Sequence, residues 1–390
     1  MAINIEKLRL NPFKLVAASV KELYSLSDED LLEVKVYLIR EAFIHHYERN
    51  KLYRDSCIEK GIAPDGIQTI KDLIRIPLVP LEFYKSSDSY KLLSVPFKEV
   101  EMESRSTGTS GIPSVSRRCS HSADTALLGI SMMYREFFRI SKGAGLFICI
   151  SGEEAPEMAM LKGLNLLLSS LDTSRFMVKE TSFSPEDSVD QLSEWKNKFT
   201  RHVLGPPFLI KEFLSYLETA GIKLKLDKNS YVVTIGGWKR FTGEMLSRTE
   251  FDELCMECLG VRKDQVRDIY GLSESNVFAI DDEFGEKHVS PFAHFSVRDP
   301  QQLDRELEIG EPGQLAILDP MMLAQPGFLL TEDVVRLLPG KSKSGRSGQR
   351  MEYVERLPDA GEFGCCAIHL DKRMNAPEVA SDSDNSCPVV

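Results

Sequence analysis

The sequence predicts an α/β protein: a large domain whose sheet is mixed or mostly parallel and flanked by helices, closed by a β-rich subdomain. Three observations predict it. Between residues 122 and 270 short apolar runs alternate with amphipathic helical runs, the pattern of βα units. After residue 288 the texture changes to strands following strands. The chain has 390 residues, more than one hydrophobic core usually organises, so a large unit with a smaller companion is expected.

Residues 20–60 read as helical. Leu31, Val34, Leu38 and Ala42 fall on one helical stripe, and Ser27 precedes Asp28, Glu29 and Asp30 as an N-cap with an acidic first turn. His45 and His46 follow; neighbours on a helix point to different faces, so the two cannot share one metal from a single face. Residues 61–115 are loop-rich, broken by Pro64, Pro77, Pro80, Pro96 and Pro113. The alternation then runs through helix ADTALLGISMMYREFF, strand GLFICIS, helix PEMAMLKGLNLLLSSL, strand FMVKET, helix EDSVDQLSEWKNKF and strands HVLGPP, YVVTIGG and QVRDIY. HVSPFAHFSVRD, GQLAILD and VVRLL read as the β-rich part. The basic, glycine-rich segment 340–350 reads as a mobile loop or hinge, and the polar residues from 375 on as a flexible tail. The domains expected are therefore 1–335, a reduced C-terminal subdomain at 336–374 and a tail at 375–390.

Composition excludes some functions. Hydrophobic residues make up 42% and charged residues 27%, ordinary values for a soluble globular chain. A formal net charge of −11 argues against a general nucleic-acid binder, though helix termini and backbone amides still bind phosphate locally. No apolar run reaches the ~20 residues of a membrane span, and MAINIEKLRL has no signal-peptide h-region. A cytoplasmic location is expected, and the eight cysteines are expected to be reduced. Cys255 and Cys258 have CxxC spacing inside a helical run with no second CxxC, so they read as core residues.

Three segments could carry chemistry. In Ser106-Thr107-Gly108-Thr109-Ser110-Gly111-Ile112-Pro113-Ser114, glycines let backbone amides approach an anion and the hydroxyls add donors, just before a helical segment. It is no Walker loop: the lone GKS, at Gly340, has Val335 where that motif needs glycine. In Asp268-Ile269-Tyr270-Gly271-Leu272-Ser273-Glu274 a strand ends in an aromatic and a carboxylate, placed where open parallel sheets bind ligands; Tyr270 could stack on a base and Glu274 could ligate Mg²⁺. In Leu330-Thr331-Glu332-Asp333-Val334 an apolar strand carries Asp333, able to accept both hydroxyls of a ribose. Each alone is also compatible with an ordinary loop, turn or strand.

Taken together, in this order, the three segments resemble the adenylate-forming superfamily, its phenylacetate-CoA ligase branch, and within it the bacterial acyl-protein synthetases of the LuxE type. The similarity extends through VLGPPFLIKEFL (203–214), GGWKRFTGE (236–244), YGLSES (270–275), GEPGQLAILDP through PGFLLTED (310–333) and HHYERNKLYRD (45–55). The resemblance implies an adenylate-forming fold and ATP and Mg²⁺ as cofactors. It implies that Ser106, Thr107, Thr109 and Ser110, with Gly108 and Gly111, hold the β- and γ-phosphates. Tyr270, with Gly271 and Ser273, borders adenine, Glu274 holds the metal and Asp333 binds the ribose. Gly236, Gly237 and Trp238 line the acyl and adenine side, with Lys239 near phosphate. It further implies acyl transfer to a thiol, with Cys365 as the transiently acylated residue, Cys366 or coenzyme A as other acceptors, and a reductase or carrier protein as partner. Three readings follow: an acyl-protein synthetase acting on a carboxylic, by resemblance fatty, acid; an acyl-CoA, aryl-CoA or carrier-protein ligase; or a non-catalytic nucleotide- or acyl-binding module. Two departures stand out. Only 57 residues (390 − 333) follow Asp333, so against the resemblance a truncated C-terminal lid is expected, and its lysine has no clear counterpart, Lys341 and Lys343 being candidates. And Ser342-Lys343-Ser344-Gly345-Arg346 replaces the Cys-x-Cys-Gly-Arg of that family, while Phe363 replaces an arginine before Gly364.

Overall fold

The computed structural model describes residues 12–106, 113–138, 140, 142–156, 158–179, 182–237 and 246–357. Its strands, in chain order, are β1 (Val79–Pro80), β2 (Val100–Arg105), β3 (Val115–Cys119), β4 (Ala144–Phe147), β5 (Thr173–Phe176), β6 (Val178–Lys179), β7 (Ser182–Phe183), β8 (Arg201–Gly205), β9 (Val232–Ile235), β10 (Val266–Gly271), β11 (Phe278–Asp281), β12 (Lys287–Val289), β13 (His294–Asp299), β14 (Gln302–Glu306), β15 (Pro312–Leu318), β16 (Phe328–Leu337) and β17 (Arg350–Arg356). Among the described residues thirteen strands join one sheet, in the order β14-β13-β15-β16-β17-β12-β11-β10-β9-β8-β4-β5, with β1 added beside β16.

The sheet has two halves. β5, β4, β8, β9 and β10 run parallel. The residues of β4, β8 and β9 are all buried, as continuous apolar strands covered on both faces must be. Helices Ser120–Phe137, Ala159–Leu168, Pro185–Trp195, Pro207–Thr219 and Arg248–Leu259 are the intervening elements. From β11 onward neighbours are antiparallel, apart from β1 on β16. This is the strand-after-strand texture expected past residue 288.

Local rules explain the element ends. Ser27 caps helix Asp28–Arg49, accepting from the Asp30 amide at 3.1 Å, and Leu31, Val34, Leu38 and Ala42 are all buried. Ser247 and Glu250 form a capping box at Arg248–Leu259, and Gly260 ends that helix at φ 65°. Within it Cys255 and Cys258 are buried and burial pushes both thiols up, the behaviour of core cysteines. His45 and His46 meet the Leu323 and Met322 carbonyls through Nε2, at 2.8 and 2.9 Å, with no metal-like convergence.

Two expectations are corrected. Segment 340–350 is not a hinge: it is stitched to the body by acids distant in sequence. Arg346 pairs with Glu136 at 2.9 Å and Glu283 at 3.1 Å, Arg350 pairs with Glu286 at 2.9 Å, and the Ser347 amide donates to the Tyr24 carbonyl at 2.9 Å. And the division at 335/336 falls inside β16, whose residues on both sides pair with β17, so no boundary is drawn there. No described helix is long and apolar enough to cross a membrane.

Candidate active site

The hydroxyl-rich segment lies between two paired strands in the chain, not directly before a helix. β2 and β3 pair antiparallel with Arg105 opposite Val115, and β3 separates the segment from helix Ser120–Phe137. Beyond the last strand pair the neck is closed by two hydrogen bonds: the Ser106 amide donates to the Ser114 carbonyl at 3.0 Å, and the Ser114 amide to Ser106 Oγ at 2.8 Å. Thr107, Gly108, Thr109, Ser110 and Gly111, named above as phosphate ligands, lie outside the described residues, as do Trp238, Lys239, Cys365 and Cys366.

β10 ends in Tyr270-Gly271, and the turn after it presents Ser273 and Glu274. Glycine is required at 271 because a Cβ would collide with the Phe278 ring on paired β11. At the end of β9, Gly236 adopts φ 87°, a conformation that side chains disfavour. These are the carboxyl ends of adjacent parallel strands, where α/β sheets open a crevice. A cavity of about 760 Å³ occupies it, and Ser106, Gly236, Gly237, Tyr270, Gly271, Ser273, Glu274 and Asp333 all line it. Apart from Lys341 and Lys343, offered above as candidate lid lysines, every described residue named as a site residue is thus brought to one space.

Within that space the groups are wired together. Glu274, 5% exposed, accepts from Ser114 Oγ through Oε1 and from Ser273 Oγ at 2.9 Å through Oε2. The hairpin neck and the metal candidate are therefore in contact. Tyr270 Oη donates to Asp333 Oδ2 at 2.7 Å, while Asp333 Oδ1 is buried without a partner among the described residues. Burial raises the Asp333 carboxyl above the usual carboxylate range, with the Tyr270 hydrogen bond and Arg356 opposing it. An unsatisfied buried carboxylate oxygen on a residue that lines the cavity suits a ligand that brings hydroxyl donors. Asp333 sits on β16 opposite Arg356 of β17, and the chain leaves β17 with the Leu357 amide donating to the Glu332 carbonyl at 2.9 Å.

Several cavity residues have no signature in the sequence. Arg118 is 6% exposed and reaches across from β3: Nε donates to Asn276 Oδ1 at 2.6 Å, and Nη2 to the Ser273 and Ser275 carbonyls at 2.9 and 3.0 Å. Ser116 Oγ donates to the Ser273 carbonyl at 2.7 Å. Alternation puts Ser114, Ser116 and Arg118 on one face of the strand, the one signal that could have found Arg118. Lys287 bridges Asp268 and Asp281 at 2.8 Å each, and Arg248 joins Asp281 to Asp252. Lys85 and Arg356 flank Glu332, the former at 3.5 Å.

Away from the cavity Asp282, Glu286 and His288 cluster with ligand atoms within 4.8 Å of one another. Asp282 Oδ2 and Ser342 Oγ both meet the same His288 nitrogen, Nε2, at 3.1 Å, so this is no proton relay across the ring. With Ser342 also on Glu286 at 3.0 Å, the cluster is the stitch that holds segment 340–350.

The chain matches the family model described as acyl-protein synthetase, LuxE, over residues 15–374. It is 29% identical over 349 residues to the long-chain-fatty-acid--luciferin-component ligase of Aliivibrio fischeri, covering 87% of this chain and 88% of that one. The Vibrio harveyi protein of the same name is 26% identical over 372 residues, covering 93% of both. Among solved structures, a 2-hydroxyisobutyryl-CoA ligase in complex with 2-HIB-AMP and CoA shares the fold at a TM-score of 0.68 and 16% identity, over 87% of this chain and 71% of that one.

Proposed function

Because the chain belongs to the LuxE family of acyl-protein synthetases, we propose that it uses ATP to activate a carboxylic acid as the acyl-adenylate and passes the acyl group to a thiol. The carboxylate attacks the α-phosphorus and pyrophosphate leaves; a thiolate then attacks the acyl carbon and AMP leaves. The acid itself is the nucleophile of the first step, so the protein's work is in-line positioning and neutralisation of phosphate charge. A fatty acid is the substrate that the relatives' names favour.

The single observation that carries this reading is the meeting of three distant segments at one cavity: Ser106, Tyr270 with Glu274, and Asp333. On it, Asp333 Oδ1 accepts from the ribose, Tyr270 borders the base, and the approach of Gly236 and Gly237 leaves room for the adenylate. Mg²⁺ would be held by Glu274, whose two oxygens each keep a lone pair beyond the hydroxyls they accept; bound there it would neutralise phosphate charge. Thr107, Gly108, Thr109, Ser110 and Gly111 would follow the β- and γ-phosphates, with Lys239 beside them and Trp238 on the acyl side. Cys365 would accept the acyl group and hand it to a reductase or carrier protein.

Acid-dependent ATP–pyrophosphate exchange tests the first step. The wild type exchanges with at least one acid of a broad panel, and Glu274→Gln lowers the rate by about 100-fold; exchange at background for every acid overturns the reading. Labelled acid retained on the wild type and lost in Cys365→Ser assigns the second step. Free acyl-CoA formed only on adding coenzyme A would move the chain to the CoA-ligase alternative.

A further inference from the structure

Most of the cations that line the cavity are committed to fixed partners. Arg118 directs its donors to Asn276 and to the Ser273 and Ser275 carbonyls. Lys287 lies between Asp268 and Asp281, and Arg248 between Asp252 and Asp281. Lys162 Nζ donates to the Glu103 carbonyl at 3.2 Å. Lys85 differs. Among the described residues its ammonium meets Glu332 Oε1 alone, at 3.5 Å, beyond the usual hydrogen-bond range. Glu332 already accepts from Arg356 Nη2 through its other oxygen. One carboxylate therefore faces two cations, and the charge of Lys85 is left over. Its side chain is 21% exposed, and it lines the cavity.

The fold sets where that charge stands. β1 pairs with β16, Val79 opposite Leu329 and Pro80 opposite Leu330, and the short helix Leu81–Lys85 follows at once. This helix packs against β3 and β16. Buried Tyr84 anchors it, donating to the Pro326 carbonyl at 2.8 Å. β3 follows the hydroxyl-rich segment, and β16 carries Asp333. Lys85 thus ends the element that spans the strand behind the phosphate segment and the strand of the ribose carboxylate. In ATP the atom between the ribose and the β-phosphate is the α-phosphorus. Lys341 and Lys343, named from the sequence for this charge, do not line the cavity; the Lys343 amide and Ser342 instead hold Glu286.

We propose that the Lys85 ammonium moves from Glu332 to the non-bridging oxygens of the α-phosphate and is a catalytic residue of adenylation. A carboxylate oxygen of the acid forms the new bond to the α-phosphorus, the bond from that phosphorus to the α–β bridging oxygen breaks, and pyrophosphate leaves with the electron pair. The ammonium keeps its protons throughout. It opposes the negative charge that gathers on the α-oxygens as one anion attacks another. The proposal rests on the adenylating reading above and deepens it.

Two measurements test it. In calorimetry without acid the wild type binds AMP more tightly than adenosine. Lys85→Met lowers the affinity for AMP tenfold or more and leaves that for adenosine within twofold, whereas a lysine that only supports the fold would move both alike. In ATP–pyrophosphate exchange with the acid that the wild type uses best, Lys85→Met lowers the rate about 100-fold, and Lys85→Arg, which keeps the charge, retains at least a tenth of the wild-type rate. Adenosine affinity lost in step with that for AMP, or exchange by Lys85→Met within tenfold of wild type, overturns the role of Lys85 while adenylation stands. Exchange with no acid at all in the wild type overturns adenylation, and this role with it.

Discussion

Asp333 shows what a site costs the fold that carries it. Its carboxylate is buried with one oxygen bonded to Tyr270 and the other unsatisfied, and burial raises its pKa. For an acid whose folded pKa is raised, the folded state is favoured below the unfolded pKa and that advantage is lost as pH rises through the folded one. Asp333→Asn keeps the acceptor for Tyr270 and removes the charge. We expect it to stabilise the ligand-free protein by about 1 kcal/mol at pH 8, with the gain fading on acidification, while pyrophosphate exchange falls at least tenfold. Thermal melts across pH check the first part. Lys35 is the same problem with the opposite sign and no such function. It is 1% exposed with one long hydrogen bond to Gln349 at 3.4 Å, and burial lowers its pKa to about 7. A lysine whose folded pKa is lowered weakens the fold most at and below that pKa, and the penalty shrinks as pH rises toward the unfolded value. Lys35→Met should raise the melting temperature at pH 6–7, with a smaller rise at pH 10.

At the scale of elements, the hairpin β2–β3 and the turn after β10 behave as one unit. Arg118 and Ser116 tie them through the Ser273 and Ser275 carbonyls and Asn276, and Ser114 reaches Glu274. Arg118→Met removes a buried cation and strands several acceptors. We expect a loss of about 3 kcal/mol in denaturant melts and at least a 100-fold loss of exchange. Exchange within tenfold of wild type would mean that the hairpin holds its place without this residue. This unit also marks the limit of what the sequence discloses. Tyr270, Glu274 and Asp333 were legible because short motifs of distinct composition carried them. Arg118 was not, because its partners lie about 155 residues away and its own short strand falls between the loop-rich stretch 61–115 and the helix read from 122 on. Segment 340–350 misread for the same reason: glycines and cations signal a loop, and only the fold supplies Glu136, Glu283 and Glu286 to hold them.

For the molecule as a whole, the alternation of apolar strands and amphipathic helices located the parallel half nearly strand by strand, and the change of texture located the antiparallel half. The single sheet that joins them was not legible, because β10 and β11 meet by pairing, which leaves no local mark. Continuity across β10, β11, β12 and β17 predicts that both halves melt together. Far-UV circular dichroism and the fluorescence of Trp195, buried in the parallel half, should give coincident midpoints in a Trp238→Phe background. Two resolved midpoints would show that the halves fold apart.

The way the chain leaves β17 has a kinetic corollary. Leu357 is pinned to Glu332, next door to Asp333, which fixes that point of the chain beside the cavity. Cys365 is eight residues further on, a leash of at most about 28 Å whatever its path. A group so tethered experiences a local concentration of order millimolar, set by the leash and indifferent to dilution. Self-labelling at Cys365 would then be first order in protein, leaving only delivery to another molecule dependent on how much of that molecule is present.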